Sequence, residues 1–579
     1  MRPVPRSRHI LAAAILAAVS AIFGYLAVVD ERMSWSQMQI ATSAVKEYQT
    51  DLYPHDPFFG PSGLWRFPSP VFLGLLKLSL VPTLYEDVSL PFRMMVGVVV
   101  MIYLCGAYAL MYRQCRSWSV SVFVAVLSSA VTEMFGQAYW GVGAYWGVGS
   151  LASMTPLTLC QAVMPLVVLA FLRYEGPLEE RSGRWPLLLV FGFIGLLGNL
   201  SLAAAMNLTI VLLIVYLARR RFAPASWPLA IGGGLVALVG AMPYLLYCLA
   251  LRSETAPPQG SISAAAVYEA IRIADPEAIY PGILKSMLNW RPLICLLMIP
   301  AGALVSRLER FRARNLDFWL WFAGASLFVA LALQGASQLV GMATGHGPPV
   351  IEFLQASSLV MLPLYVLVAQ GITTLFRLVR THRAMVRGSC AALMAVWMIP
   401  SDNLRVIRYA AMDTATMFMD EADKHPSIKR HHDDHNDLVE LTQVAQWARR
   451  GTGVDAVFLV DRPEFRMLSR RSVVASRSDA RYVYYLAPWS LSEWVSRFNQ
   501  QKHLLPRQTG RVDAQAIRQF VTALEGRDEF KGATEWYVIL PSTVAPEPPK
   551  ALEPISSSSW ERHYRVYRVP LSGDDRAGK

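Results

Sequence analysis

Charge is scarce in this chain, and where it occurs it is confined. Asp, Glu, Lys and Arg make up only 17% of the 579 residues, while 54% are hydrophobic; soluble domains carry about a quarter charged residues. Up to residue 400 the charged residues fall near span ends or in the connections, and the polar residues singled out within the spans are Asn199, Ser201 and Asn207. That absence argues against proton- or ion-coupled transport, which places ionisable groups at the bilayer midplane and often comes with inverted repeats. Cysteine is equally sparse: Cys105, Cys115, Cys160, Cys248, Cys295 and Cys390 all lie in or beside apolar stretches. No structural disulfide is expected, even in an oxidising compartment, and no spacing suggests a zinc site. The first apolar stretch lacks the marks of a cleaved leader. Its run of about 20 residues exceeds the roughly 7–15 of a secretory signal, and no small-residue cleavage site ends it. It reads as an anchor.

What the chain has in abundance is apolar runs. A hydrocarbon core of ~30 Å needs roughly 20 apolar residues per helix, fewer where helices are short or broken. On that basis eleven spans are expected, at residues 10–29, 94–112, 119–135, 154–172, 186–199, 202–217, 228–250, 292–306, 318–334, 350–376 and 385–400. Nineteen arginines sit on alternate connections, for example Arg2, Arg6 and Arg8, then Arg113 and Arg116, then Arg219 to Arg221. By the positive-inside rule those connections are cytoplasmic, and so is the amino terminus. Arginines on both sides of residues 185–217 require that stretch to cross twice, with its break near Asn199 and Ser201. By the same parity residues 69–84 cannot cross fully, and read as an amphipathic or re-entrant helix on the outer face with Lys77 snorkelling. An odd number of spans leaves everything beyond residue 400 outside.

The chain therefore divides into a membrane body (1–400, with 30–92 as its first outer loop), a polar connector (401–436) and a soluble domain (437–579). The net charge of +12 lies mostly in the membrane body, as an orientation signal, so no nucleic-acid partner is expected. Residues 437–450 have helical periodicity after a cap at Asn436 or Asp437. Strands are expected at 456–460, 472–475, 482–486, 536–540 and 564–569, with helices at 491–503 and 514–524. That alternation predicts a small α/β layer fold, so the whole is an α-helical polytopic membrane protein with a carboxy-terminal α/β domain.

Acids gather on the outer side. Asp30 and Glu31 stand at the exit of the first span, and the loop after it adds Asp51, His55 and Asp56 in TDLYPHDPFF and Arg66 in GLWRFPSP. Glu133 stands at the outer end of the third span. Read blandly, Asp30 and Glu31 are interfacial charges ending a helix. Carboxylates converging from two loops could instead take a hydroxyl proton if burial raises one pKa, and an outward arginine could hold a phosphate.

The string DERMSWSQMQIA directly after a first span, the long first outer loop, a second acid on the next outer loop and an outward carboxy-terminal domain resemble the polytopic GT-C glycosyltransferases that use polyprenyl-phosphate sugars. The resemblance covers the layout of roughly residues 1–220. It implies a catalytic base at Asp30, with Glu31 beside it, and an assisting acid at Glu133. Asp56 is a second candidate acid deep in the loop. That loop and QWARRGTGVDAVFLV are similar to uncharacterised bacterial membrane proteins related to the same superfamily. The resemblance further implies a bacterial inner membrane, a periplasmic 437–579, and transfer of sugar to a glycan, lipid or protein acceptor. No cofactor is assigned, with a divalent cation left open.

Other segments admit two readings. In the tandem AYWGVGAYWGVG, Trp140 and Trp146 either stack on sugar rings or belong to an interfacial aromatic belt, and the belt is preferred. KRHHDDHND at 429–437 has the composition of a metal site, yet reads better as a solvated linker. His346 and Glu352 either line the site from the opposite side or form a polar loop at a helix start. Arg272, in the outer segment 256–291, either belongs to a cover over a lipid phosphate or to an ordinary loop. The competing function is a non-catalytic scaffold of an envelope glycan or polysaccharide assembly system, whose sign would be acids that lie apart or are salt-bridged.

Overall fold

The computed structural model describes residues 5–60, 62–83, 85–133, 145–176, 184–255, 263–274, 297, 299–302, 304, 315–344, 352–379, 383–420, 423–505, 510–547 and 551–571. Among them seven helices are long and apolar enough to cross a membrane: Arg6–Val29, Leu90–Cys115, Pro156–Tyr174, Leu202–Arg219, Pro224–Glu254, Leu316–Thr344 and Phe353–Leu378. Three further expected spans are helical but shorter: Trp118–Ser128, Trp185–Leu197 and Arg383–Met398. Most of the expected span at 292–306 lies outside the described residues, as does Cys295; the other five cysteines are free thiols. The helix beginning at Trp118 stops seven residues before the expected end at Phe135. There Ser128 and Ser129 turn their hydroxyls onto the Ala125 and Val126 carbonyls at 2.9 and 2.6 Å, and the chain leaves the helix.

Close backbone contact holds the first two long helices together. A Cβ on Gly24 would meet the Gly97 Cα at 3.2 Å, and Ser20 Oγ donates to the Gly97 carbonyl at 2.6 Å, the small-residue and hydroxyl packing that membrane helices use. The expected break at residues 199–201 is present. Asn199 there donates to the Gly240 carbonyl (2.8 Å) and accepts from the Tyr244 amide (3.1 Å). It thereby bridges the ladder of the neighbouring helix where Pro243 interrupts it. The stretch expected to lie on the outer face forms the helix Pro70–Leu80, with Lys77 paired to Glu47 at 2.7 Å.

Nine short strands are described: β1 (Thr132–Glu133), β2 (Tyr145–Trp146), β3 (Ala456–Leu459), β4 (Ser472–Val473), β5 (Gly510–Asp513), β6 (Glu535–Pro541), β7 (Val544–Glu547), β8 (Glu553–Ile555) and β9 (Tyr564–Arg568). Five form a mixed sheet in the order β4-β3-β6-β9-β8, parallel across β4, β3 and β6 and antiparallel at β6-β9 and β9-β8. Alternate residues serve opposite faces. Val457, Leu459, Val538 and Leu540 pack with Ile517, Val521 and Leu524 of helix Ala514–Glu525. Phe458, Tyr537 and Ile539 pack with Leu441, Val444 and Ala448 of helix Pro426–Gly451.

Two expectations for this region are corrected. Residues 482–486 are not a strand but part of helix Ala480–Leu486, started by a Ser476–Asp479 capping box and buried at the helical spacing Ala480, Val483, Leu486. The helix expected to be capped at Asn436 or Asp437 instead starts at Pro426, with His425 as cap. The run KRHHDDHND is consequently helical surface and not a solvated linker: His431 stacks on Tyr409 at 3.7 Å, His432 pairs with Asp413 at 2.9 Å, and His435 with Glu31 at 3.1 Å. Among the described residues no group of three or more His, Cys, Asp or Glu side chains could hold a metal ion.

Candidate active site at the exit of the first helix

The Arg6–Val29 helix ends at Asp30, which is extended (φ −74°, ψ 134°) while its amide still bonds the Leu26 carbonyl at 3.0 Å. Its side chain is 10% exposed, accepts the Arg32 amide at 3.0 Å, and lies 3.7 Å from the Arg405 guanidinium. Ser34 and Gln37 form a capping box that starts the next helix, Trp35–Tyr48, so the acid sits on a five-residue corner of fixed shape. Gln37 also donates to the Leu151 and Met154 carbonyls at 2.6 and 2.8 Å, stitching the segment after the first helix to the one before helix Pro156–Tyr174.

A second corner meets the first. After helix Arg383–Met398 the chain bends by 83° into a helix that begins at Asp402. Asn403 is 3% exposed. It accepts the Val131 amide at 2.5 Å and donates to the Ser129 and Val148 carbonyls at 3.2 and 2.8 Å. The strand pair β1-β2, which carries Glu133 opposite Tyr145, grows from that same turn. The turn requires glycine at residue 147, where φ is +110° and a Cβ would lie 2.1 Å from the Ala130 carbonyl oxygen. Asn403 thus gathers the exit of the last apolar helix and the base of the second outer loop.

The electrostatics of this junction are asymmetric. Burial pushes the Asp402 carboxyl above the ordinary carboxylate range, although Arg405, Arg32 and Arg408 all pull it down. Burial also lowers the Arg405 guanidinium, with Arg32 adding like-charge repulsion and Asp30 and Asp402 opposing it. Three arginines therefore share two carboxylates, leaving a net positive charge in a partly desolvated corner. Such a corner suits an anion, and burial favours the protonated form of the Asp402 carboxyl.

Sequence reasoning missed Asp402, Asn403, Arg405 and Arg408. A signal existed in DNLRVIRY, an acid just after an apolar stretch followed by arginines three apart, and DER at the first exit likewise sets an acid and an arginine at the end of an apolar run. Assigning residues 401–436 to a connector concealed it.

The remaining candidates are distributed as follows. Glu31 is exposed and faces His435. The backbone of Glu133 is placed in β1, while Trp140 and His346 lie outside the described residues. Asp56 is fully buried in another group, accepting the Phe58, Phe59 and Val473 amides at 3.0, 2.9 and 3.1 Å and the Arg466 Nε at 2.8 Å. Three backbone amides and the Arg466 guanidinium thus occupy its oxygens. His55, beside it, is buried, its amide donating to Ser472 Oγ at 3.2 Å and its ring 3.7 Å from Asp455. Trp146 is corrected on both readings. It is fully buried, donating to Tyr103 Oη at 3.2 Å, so it neither faces a sugar nor stands in an interfacial belt. Arg272 is exposed and paired with Glu269 one helical turn away, at 2.6 Å. Glu352 binds Arg481, Tyr485 and Gln355, tying a helix start to the carboxy-terminal domain.

Arg66 pairs with Glu254 at 2.7 Å. Glu254 also lines a cleft of about 330 Å³ between the segment after the first helix and the carboxy-terminal region, with Phe58, Leu64, Trp489, Glu493 and Arg497 among its walls.

No family model matches the chain, and no curated protein matches it. Among solved structures it is similar to ArnT from Cupriavidus metallidurans bound to undecaprenyl phosphate, at 13% identity and a TM-score of 0.42 over 96% of this chain and 98% of that one. It is also similar to the archaeal oligosaccharyltransferase AglB from Archaeoglobus fulgidus in complex with an inhibitory peptide and a dolichol-phosphate, at 10% identity and a TM-score of 0.43 over 92% of this chain and 69% of that one.

Proposed function

We propose that this protein is an inner-membrane glycosyltransferase that moves a sugar from a polyprenyl-phosphate donor to an acceptor hydroxyl at the periplasmic face. The observation that carries the reading is the Asp30–Asp402 pair set among Arg32, Arg405 and Arg408 at the exit of an apolar helix. Arginine suits a lipid phosphate because its planar fork matches phosphate oxygens bidentately. The first helix presents Tyr25, Val28 and Val29 outward, at 69%, 51% and 49% exposure, beside this group. An isoprenoid tail could therefore lie along it while the headgroup meets the arginines.

In the proposed reaction Asp30 takes the proton of the acceptor hydroxyl as its oxygen attacks the anomeric carbon. The bond between that carbon and the phosphate oxygen breaks, and the polyprenyl phosphate leaves with the electron pair, its charge balanced by the arginines. Asp402, whose neutral form is favoured by burial, hydrogen-bonds the sugar or headgroup, and Glu133 assists from the second outer loop. The cleft walled by Trp489 and Glu493 offers room for an acceptor.

A scaffold reading draws on the salt-bridged state of Asp56 and Glu352. The two separate on one experiment: purified protein in liposomes with a synthetic polyprenyl-phosphate-linked sugar, comparing wild type with Asp30→Asn. Loss of one general base lowers transfer by roughly 10²–10⁴-fold. Full transfer by a correctly inserted Asp30→Asn variant overturns the assignment of the base, and absence of transfer by the wild type with any donor favours the scaffold.

A further inference from the structure

The helix Arg405–Ala415 leaves an apolar stripe uncovered. Its outward stripe is Ile407, Ala410, Ala411, Thr414 and Ala415, continued by Met417, Phe418 and Met419. Of these Ile407 is 48% exposed, Met417 65%, Phe418 93% and Met419 53%. On the other side Val406 packs against the core, and the polar groups have protein partners: Tyr409 stacked on His431, Asp413 paired with His432, and Arg408 donating to the Ile399 carbonyl at 2.6 Å. A surface helix in water buries its apolar stripe. A stripe left this bare, continued by an aromatic and two thioether side chains, suits a medium less polar than water.

Its position says what that medium is. The helix leaves the end of Arg383–Met398 at 83°, near a right angle to an apolar helix. The end of that helix is itself bare, with Val396 71% and Ile399 53% exposed, so the uncovered apolar surface continues from one helix onto the other. We propose that residues 405–419 lie in the plane of the bilayer, in the headgroup layer of the leaflet into which the first helix exits, with Phe418 and its neighbours in the acyl boundary. The partner is a phospholipid surface, and amphipathic helices bind there by burying an apolar face to about 5–10 Å. Arg405 and Asp402, on the same segment, are thereby held at phosphate depth. This inference does not depend on the glycosyl-transfer reading.

Spin labels test it. In a variant with the six native cysteines replaced, labels at Ala411→Cys and Phe418→Cys are compared in phosphatidylethanolamine–phosphatidylglycerol nanodiscs with labels at lipid-facing Leu235→Cys and at water-exposed Thr522→Cys. The expected result is preferential collision with oxygen over the water-soluble nickel reagent at 411 and 418, as at 235. Nickel accessibility equal to that at 522 overturns the proposal. Protection from both reagents also overturns it, because a protein surface would then cover the stripe. If the cysteine-free variant does not fold, benzoylphenylalanine at 418 in the native background gives a second readout. Phospholipid adducts support the proposal, and cross-links to protein, or none to lipid, refute it.

Discussion

Arg466 is the side chain whose removal is expected to cost the most. Its guanidinium is 4% exposed and faces two carboxylates, Asp56 at 0% and Asp479 at 2%, with Nε on Asp56 at 2.8 Å and two nitrogens on Asp479 at 2.6 and 2.8 Å. Burial disfavours its charge, but Asp479 and Asp56 more than offset that. Gln39 adds a donor to Asp479 at 2.6 Å. One arginine thus joins the helix after the first corner, the first outer loop and the carboxy-terminal domain. Arg466→Leu leaves two buried carboxylates with no counter-charge, and removing one partner of a buried pair costs about 3–5 kcal/mol. Asp479→Asn leaves a balanced Arg466–Asp56 pair, at a cost nearer 1–3 kcal/mol for imperfect hydrogen bonding. The order of the two is the prediction, because an ordinary packing defect would not favour the carboxamide so strongly. Thermal unfolding of the full chain in nanodiscs, followed by limited proteolysis of the 463–490 region, measures it. At roughly 2–4 °C per kcal/mol the arginine variant melts about 6–20 °C lower. Equal melting of Arg466→Leu and wild type would refute the idea that this group fastens the carboxy-terminal domain to the loop that carries Asp56.

Two further outcomes follow from the junction. Because burial raises the Asp402 carboxyl above its unfolded value, its contribution to stability is complete below about pH 4 and is lost as pH rises through the folded pKa. Asp402→Asn should therefore gain in melting temperature relative to wild type on the alkaline side and flatten the profile between, and an unchanged profile counts against a buried acid there. Gly147→Ala places a Cβ against the Ala130 carbonyl at a positive φ, a strain of order 1–3 kcal/mol. It should weaken protease resistance of the second outer loop, and a crystal or cryo-EM structure of the variant with the turn unaltered would contradict this.

Much of the membrane body was legible because its signal is local and one-dimensional. Apolar runs give the long helices directly, and the arginine alternation forced the break at Asn199, which the structure contains. The strand pattern of the outer domain was readable at 456–460 and 536–540, where five apolar residues in succession mark a sheet covered on both faces. It failed at 482–486, since a short aromatic run has no period long enough to tell a strand from a helix. The start of the helix at Pro426 was hidden by a polar composition that reads as solvent.

The sequence by itself determined that acids stand at helix exits, since charge is tolerated only where an apolar run ends. Which of those acids face one another was decided by tertiary structure alone. Asp56 and Asp30 look alike in the chain, yet a distant arginine at 466 consumes the first, while Asn403 folds the far end of the membrane body back to place Asp402 and Arg405 beside the second. Pairings separated by hundreds of residues leave no periodicity to read, because they depend on how helices pack and not on what any short segment prefers.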